Sequence, residues 1–551
     1  MFRKRTLTER FWEVLPGLQF WVVVLGAVWL SRYRPVWAAI FIVCFDLYWV
    51  LKACNVGLHL IASYRKFRVH VTIDWLGNVQ KLREHLSEYI TELKSDSKND
   101  HRPVARKFFR LEAERLQALQ NAGKQIDDYR QYYHVVLFPF VNESAEVLST
   151  TLDAMLAVNY PKENIFIILA GEERAGEPAQ ETAREIQAKY EGQFGKFFVT
   201  WHPDGLEGEI KGKSANASWA VQAVMPELEA LRISVPQVIV SNFDSDTVVH
   251  PQYFARVMYE FLTAEKPYQS SYQPIAIYNN NIWDSPAFIR VVSVSNSFWQ
   301  FTESSRPDRL RTFSSHSMTL KALVDIGFWK KDIVNEDGYV YWQCYMHYHG
   351  DYKVIPLFIP ISLDTCMDKS WWQTLKNQYN QKKRWAYNVE YYPHLIWPII
   401  KLKAPRFDKF LKLFQYVEGN FNWATASLLI SVLGLLPLFL GGQEFLDSVV
   451  AFNLPTVTKI LMRVALVFLI FSVYVNLVLL PPRPAKYGPW RSIMMYLQWF
   501  LVPFVSIIFG SVPAIEAQTR LMFGWYLEFW VTPKVRKGAS TGLHMKEMKS
   551  N

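Results

Sequence analysis

Two long apolar runs near the N-terminus constrain the fold of this chain more than any other feature. They cover residues 14–30, where Gln19 is the one polar side chain, and residues 36–62. Inside a bilayer the backbone has no water to bond, so a single segment crosses only as a helix, and about 20 apolar residues are needed. No small-residue cleavage site follows the first run, which argues against a cleaved signal peptide. We therefore expect residues 1–65 to form two transmembrane helices.

Basic residues flank this pair of helices on both outer sides. They are Arg3, Lys4, Arg5 and Arg10 before the pair, and Arg65, Lys66 and Arg68 after it. Because basic flanks stay in the cytoplasm, we expect a multi-pass protein of the cell membrane (plasma or inner membrane) with a cytoplasmic N-terminus and a cytoplasmic polar region. Arg32 and Arg34 in the short link reduce this contrast. The charged Asp46 and Lys52 either face a protein interior or reach the headgroups.

The polar region first shows a helical pattern and then an alternating one. Residues 66–130 carry apolar side chains at three- and four-residue steps, which predicts a helical hairpin. Between residues 131 and 392, short apolar runs alternate with amphipathic segments, and these runs lie at 134–138, 165–169, 197–201 and 238–242. Strands that alternate with helices predict an α/β domain with a doubly wound, mostly parallel sheet.

Apolar segments return after this domain. We expect interfacial helices at 393–420 because one face is apolar and lysines lie away from it. A C-terminal transmembrane region should follow at 421–515. Within it, we expect full spans at 423–440 and 461–480.

The last apolar segment, residues 493–513, contains Pro503 and Gly510. We expect it to bend near one of these residues and turn back, or to lie in the interface, because a broken backbone is tolerated where protein buries it. Residues 516–551 would then be cytoplasmic, as the basic side chains near the end of the chain indicate.

Two carboxylates follow the strand predicted at 238–242. Asp244 and Asp246 would lie at the carboxyl end of a parallel strand, where ligands bind in sheets of this kind. Two carboxylates this close repel each other unless a cation lies between them, and Mg2+ or Mn2+ carrying substrate phosphates suits such ligands. An Asp-rich turn without a ligand would have the same sequence.

Five further motifs accompany this pair. They read PFVNE at 139–143, GKSAN at 212–216, NED at 335–337, QKKRW at 381–385 and FWVTPK at 529–534. Each also has a purely structural explanation; for example, the acidic pair Glu336 and Asp337 could serve only as a helix N-terminal cap. Lys213 is placed where a cation meets phosphate at the start of a helix.

In this order, and with membrane segments on both sides, the motifs resemble those of membrane-embedded family 2 glycosyltransferases of the cellulose, hyaluronan and chitin synthase type. That family carries P-x-x-N-E, G-K-x-x-x-N, D-x-D, T-E-D and Q-x-x-R-W, and bacterial cellulose synthases have F-x-V-T-x-K in a gating loop. The resemblance covers residues 133–390 and 520–537. GKSAN is one residue short, Asn335 replaces a threonine, and the family's glycine is missing after QKKRW.

The resemblance implies a GT-A-like fold and a role for each matching residue. It assigns catalysis to Asp337 and Glu336, and metal binding, as Mg2+ or Mn2+, to Asp246 and Asp244. The nucleotide-sugar set is Glu143, Glu172, Glu173, Lys213, Asp244 and Arg384, with Glu172 or Glu173 at the place of the family's aspartate. The acceptor set is Gln381, Arg384 and Trp385, and the gating-loop set is Phe529, Val531, Thr532 and Lys534.

The function that the resemblance implies is inverting, metal-dependent, processive glycosyl transfer from a nucleotide sugar, of the UDP-sugar type, coupled to polysaccharide export. The partners would be the donor, the growing polysaccharide, the bilayer and accessory export proteins. Two alternatives stay open, namely transfer of one sugar to a lipid or glycolipid, and an inactive membrane scaffold or channel. The net charge of +10 comes without a basic tract interleaved with base-stacking aromatics, so no nucleic-acid partner is expected.

Overall fold

The computed structural model describes residues 5–431 and 433–532. The chain divides into two compact units. Among these residues, the sheet unit comprises Ala62–Asn281 and Glu303–Asp364, and the helical unit comprises 5–61, Ile282–Thr302, 365–431 and 433–532. The predicted hairpin therefore belongs to the sheet unit, whereas QKKRW belongs to the helical unit.

The α-helices, in chain order, are α1 Leu7–Tyr33, α2 Pro35–His70, α3 Trp75–Glu84, α4 Leu86–Asn99, α5 Pro103–Asn121, α6 Ala145–Leu156, α7 Gly176–Tyr190, α8 Lys213–Ala230, α9 Tyr253–Thr263, α10 Ala287–Ser304, α11 Leu320–Asp325, α12 Glu336–His347, α13 Trp371–Ala386, α14 Tyr392–Lys401, α15 Arg406–Ser431, α16 Leu436–Leu440, α17 Gly442–Leu446, α18 Val449–Leu479, α19 Pro489–Leu497, α20 Val502–Ser506 and α21 Val512–Phe523. The strands are β1 Tyr133–Pro139, β2 Ile165–Glu172, β3 Lys196–His202, β4 Val238–Asn242, β5 Val248–Val249, β6 Ser270–Tyr278, β7 His316–Thr319 and β8 Lys353–Leu363.

One eight-stranded sheet forms the centre of the sheet unit, in the order β3-β2-β1-β4-β7-β6-β8-β5. Neighbours from β3 to β4 are parallel, as are β6 and β8, whereas β7 runs antiparallel to β4 and β6, and β5 runs antiparallel to β8. The predicted α/β class with a mostly parallel sheet flanked by apolar helices is confirmed. The four predicted strands correspond to β1–β4.

The register of the sheet brings the ends of β1 and β4 to the same edge. Leu137 pairs with Asn242, and the amide of Phe243 donates to the carbonyl of Leu137 over 2.9 Å. Every residue of β4 is buried, which explains why its apolar run was visible in the sequence. The chain that follows β4 therefore leaves the sheet beside the chain that follows β1.

The hairpin predicted at 66–130 consists of three helices, because the first predicted helix breaks at His85 into α3 and α4. Buried charges hold it to the rest of the sheet unit. Arg115 on α5 forms 2.8 Å ion pairs with Glu112 and with Glu260 of α9. The guanidinium of Arg256 lies 3.9 Å from the ring centre of Trp75. These contacts make the hairpin part of the sheet unit.

Among the described residues, three helical segments are long and apolar enough to cross a membrane: Leu7–Tyr33, Pro35–His70 and Pro489–Phe523. The first two bear out the predicted N-terminal helices by length and composition. The predicted span at 461–480 lies within the 31-residue α18. Its crossing of the bilayer stays a prediction.

The span predicted at 423–440 is not one straight helix. The segments Arg406–Ser431 and Leu433–Leu440 meet at an angle of 48° and would form a span only as a bent pair. The same α15 also contains the amphipathic segment at 407–417 that was predicted as interfacial, because no proline separates it from the apolar part of the helix.

The bend and return predicted within 493–513 is wrong, since one helical run continues from Pro489 to Phe523. The other alternative, that this segment lies in the membrane interface, stays a prediction. Pro503 and Gly510, which were expected to break the helix, lie at positions that the helical run tolerates. Pro503 is the second residue of α20, where a missing amide hydrogen costs no helical bond. Gly510 lies in a π-turn at Ile507–Ser511. The run ends where Gly524 adopts a left-handed conformation, with φ of 76°.

Candidate active site

Lys213 brings together residues from three of the predicted motifs. Its Nζ atom lies 2.9 Å from Oδ1 of Asp244, 3.4 Å from Oδ1 of Asp337 and 3.6 Å from Oε1 of Glu336. Lys213 is the first residue of α8, Asp244 follows β4, and the acidic pair opens α12. Three elements of the sheet unit therefore converge on one ammonium group.

The charge of Lys213 is stabilised by these neighbours. Burial alone would lower the pKa of its ammonium, but Asp244, Asp337 and Glu336 raise it above the usual value of 10.5. The side chain is 11% exposed. A cation held among carboxylates at the carboxyl end of β4 is arranged to meet an anionic ligand.

Asp246 has surroundings different from those of Asp244. Its Oδ2 atom accepts the backbone N–H of Asp364 over 2.8 Å. The amide of Asn280 donates to the carbonyl of Asp246 over 3.1 Å and to Oδ1 of Asp364 over 2.9 Å. Asp246 is buried. These contacts fix the second aspartate of the pair.

The segment between Thr312 and His316 supports the site from the other side. The hydroxyl of Ser314 donates to Asp244, and that of Thr312 donates to the carbonyl of Asp337 over 2.6 Å. Nδ1 of His316 lies 2.8 Å from the carbonyl oxygen of Phe313. Burial lowers the pKa of His316, although Asp337 acts in the opposite direction. Burial therefore favours the neutral form of this imidazole.

Sequence reasoning did not find Asn280, Asp364 or the 312–316 segment. They follow or precede β6, β7 and β8. β7 is mostly polar, and prolines interrupt the apolar runs of β6 and β8. The Ser314–Ser315 pair before β7 was the only local signal, because hydroxyls next to a strand end are common at polar sites.

The metal prediction passes a test of donor chemistry. Asp244 and Asp246 offer the hard oxygen ligands that Mg2+ and Mn2+ prefer, and Mg2+ is usually held by one or two carboxylates together with substrate phosphates. No cluster of three His, Cys, Asp or Glu side chains suited to a metal occurs among the residues described. Metal binding by these two aspartates therefore stays a prediction that depends on a phosphate-bearing ligand.

The three glutamates predicted to bind the donor lie at the ends of β1 and β2. Oε1 of Glu143 accepts from Ser245, between the two aspartates, over 2.9 Å, and its Oε2 accepts the amide of Val141 over 2.8 Å. Glu172 is buried and pairs with Arg174 at 2.5 Å. Glu173 is exposed. Glu143 thus holds the loop that carries Asp244 and Asp246. Contacts of the three glutamates with a donor stay predictions.

The remaining predicted residues that the structure describes belong to the helical unit. The guanidinium carbon of Arg384 lies 4.6 Å from the ring centre of Phe529, and Nε2 of Gln381 lies 3.4 Å from Oγ1 of Thr532. Trp385 is on the same helix, α13, and Val531 lies between the two contacting residues of the C-terminal segment. Lys534 is outside the described residues. The QKKRW helix and the FWVTPK segment therefore touch each other.

Comparisons with known proteins add context to this geometry. No protein-family model matches the sequence, and no curated protein matches it. The chain is similar in structure to the mannosyltransferase PcManGT from Pyrobaculum calidifontis, solved with GDP-Man and Mn2+, at 15% identity and a TM-score of 0.36, over 76% of this chain and 97% of that one. It is also similar to S. aureus TarS 1-349, solved with UDP-GlcNAc, at 10% identity and a TM-score of 0.32, over 62% and 90%. Likeness this low carries no argument, so function must be argued from the site.

Proposed function

We propose that this protein is a membrane-bound glycosyltransferase that takes a sugar from a nucleotide-sugar donor. The observation that supports this most is the contact of Lys213 with Asp244 and Asp337. Through this one cation, Asp244 of the aspartate pair is linked to Asp337, the proposed base. The order of motifs in the sequence supports the same function.

The chemistry requires charge neutralisation on the leaving group and a base for the acceptor hydroxyl. A divalent cation on Asp244 and Asp246 would neutralise the departing diphosphate. Lys213 would bind the same phosphates, which would draw it away from Asp337 and leave that carboxylate to accept the proton. A positioned base contributes about 10²–10⁴ in rate. One base without a carboxylate nucleophile fits inversion at the anomeric carbon, by analogy with glycoside hydrolysis.

The finer proposal is processive synthesis of a polysaccharide, from a UDP-sugar, with export through the membrane helices. The contacts of Arg384 with Phe529 and of Gln381 with Thr532 support it, because they link the proposed acceptor helix to a segment that resembles a gating loop. Trp385 would offer the acceptor sugar a flat apolar face. Transfer of a single sugar to a lipid is the alternative function.

The test uses the full-length protein purified in detergent or nanodiscs. Release of nucleoside diphosphate is measured across a panel of UDP-, GDP- and dTDP-sugars, with Mg2+, Mn2+ or a chelator. We expect metal-dependent turnover of at least one donor, and loss of it in Asp246→Ala. Asp351→Asn, which removes a carboxylate from an exposed pair with Lys266, is the matched control and should stay active. Full metal-dependent activity in Asp246→Ala would remove this residue from the site.

Product length separates the two finer functions. A processive enzyme yields long chains even at low turnover, whereas a single-addition enzyme yields one product of fixed mass. Trp385→Ala should shorten or abolish the polymer while hydrolysis of the donor by water persists, because water needs no stacking surface. Equal losses in both reactions would leave Trp385 without an acceptor role.

A further inference from the structure

Lys382, the second residue of QKKRW, occupies an unusual place in the helical unit. Its Nζ atom donates to Oδ1 of Asn296 over 2.6 Å. The ring centres of Trp385 and Trp423 lie 5.1 Å and 5.9 Å from the same atom. Within the described part of the chain, no carboxylate lies within the 4.0 Å of an ion pair with it. An ammonium group with one neutral partner and two indole rings needs an explanation.

Burial lowers the pKa of Lys382 to about 8. Enclosing a cation without a counter-charge is unfavourable, and cation–π contacts offset only part of that cost. The neighbouring Lys383, by contrast, has a counter-charge in the protein, since it pairs with Glu516 at 3.0 Å. A lysine in this position therefore points to an anion that arrives from outside the protein.

The four side chains also keep surface for a ligand. Lys382, Asn296, Trp385 and Trp423 are each half-buried rather than buried. An ammonium group has three donors, and Asn296 uses one of them. Indole faces pack well against sugar rings, which have an apolar side and a polar rim. The group thus offers stacking surface and charge at the same place.

We propose that Lys382, Asn296, Trp385 and Trp423 form a subsite for an anionic saccharide, that is, a sugar ring bearing a carboxylate. This proposal rests on the proposed function and specifies its acceptor. The ammonium group and the Asn296 amide would hold the carboxylate, while the tryptophans pack against the ring and its neighbour.

The diphosphate of a donor fits this group less well. A diphosphate carries more than one charge and is normally met by a metal or by several cations. Lys382 is one cation between two aromatic rings. One charge per ring, as in a chain of uronic acids, matches that arrangement better.

The experiment measures binding of defined oligosaccharides to the full-length protein by calorimetry. The probes are tetrasaccharides of galacturonate, glucuronate and mannuronate, each paired with its methyl ester, which keeps the ring and linkage but removes the charge. We expect at least one acid to bind about tenfold tighter than its ester, with the difference shrinking at high salt. Lys382→Met should abolish the difference, and Lys382→Arg should keep much of it. Lys383→Met is the matched control, and it should leave the preference unchanged.

Three results would overturn the proposal. The first is equal affinity of acid and ester for all three pairs, including absence of binding. The second is a preference that survives in Lys382→Met. The third is a loss of nucleoside diphosphate binding in that variant instead of saccharide binding. Donor hydrolysis is measured separately, so that a wild-type protein inactive with every donor would refute the proposed function, whereas normal hydrolysis without acid preference would refute only this subsite.

Discussion

Lys213 is the single residue on which most of the site depends. It separates three carboxylates that would otherwise repel one another, and it is charged because they surround it. Its position was predictable, since GKSAN opens a helix after a strand. Its contact with Asp337 was not predictable, because α8 and α12 meet only through the fold of the sheet unit.

Lys213→Met should lower donor turnover by about 100-fold or more, since a preorganised cation is lost from the leaving-group site. The half-saturating donor concentration should rise as well. Lys213→Arg should keep part of both. The control is Lys211→Met. Lys211 lies two residues before Lys213, is exposed and pairs with Asp204. If turnover and the half-saturating donor concentration of Lys213→Met matched those of Lys211→Met, Lys213 would have only a structural role.

At the scale of elements, apolar runs predicted β1, β2 and β4 well because those strands are buried on both faces. β3 was also predicted from its apolar run, although most of its residues are only partly buried. β7 was missed because its sequence, HSMT, is mostly polar. It is buried nonetheless, since Ser317 shares hydrogen bonds with Ser241 at 2.7 Å and with Tyr253 at 2.8 Å. A strand that is buried through hydroxyl pairs shows no alternation of apolar and polar residues in its sequence. The site residues beside β7 could therefore not be located from the sequence.

The packing of the hairpin onto α9 should depend on pH. Burial would raise the pKa of Glu260, but Arg115 and Arg256 lower it below the usual 4.5. The stabilisation is therefore complete above that value and is lost as the pH falls below it. Thermal unfolding of the wild type should show a falling midpoint below about pH 4.5.

Glu260→Gln should remove much of this dependence and lower the midpoint at neutral pH, because breaking a buried ion pair costs about 3–5 kcal/mol. Glu92→Gln, which alters an exposed pair with Lys81, is the control and should change neither property. An unchanged midpoint in Glu260→Gln would contradict the proposed role of this ion pair.

At the scale of the whole molecule, the start of α1 lies against the end of the helical run Pro489–Phe523. The guanidinium of Arg10 donates to the carbonyls of Leu521, over 3.2 Å, and Met522, over 2.8 Å. Arg10 lies in the first turn of α1, so the chain after Phe523 leaves the helical unit close to the N-terminus. The basic flanks predict that this N-terminus is cytoplasmic.

We therefore predict a cytoplasmic C-terminus. Ser540→Cys, tested with a membrane-impermeant thiol reagent in intact cells, should be labelled only after the membrane is opened. Asp447→Cys, between the two predicted spans of the C-terminal region, should be labelled from outside and serves as the positive control. A protein with Cys44, Cys54, Cys344 and Cys366 replaced by serine supplies the background. Labelling of position 540 in intact cells would contradict this topology.

Glycosyl transfer with Asp337 as the base is tested most directly by Asp337→Asn, which keeps the shape of the side chain and removes the proton acceptor. The measurement is release of nucleoside diphosphate by the purified full-length protein over a range of donor concentrations. We predict that the half-saturating donor concentration stays near that of the wild type while the maximal rate falls about 10²–10⁴-fold. An unchanged maximal rate, or a loss confined to donor affinity, would contradict the assignment of Asp337 as the base.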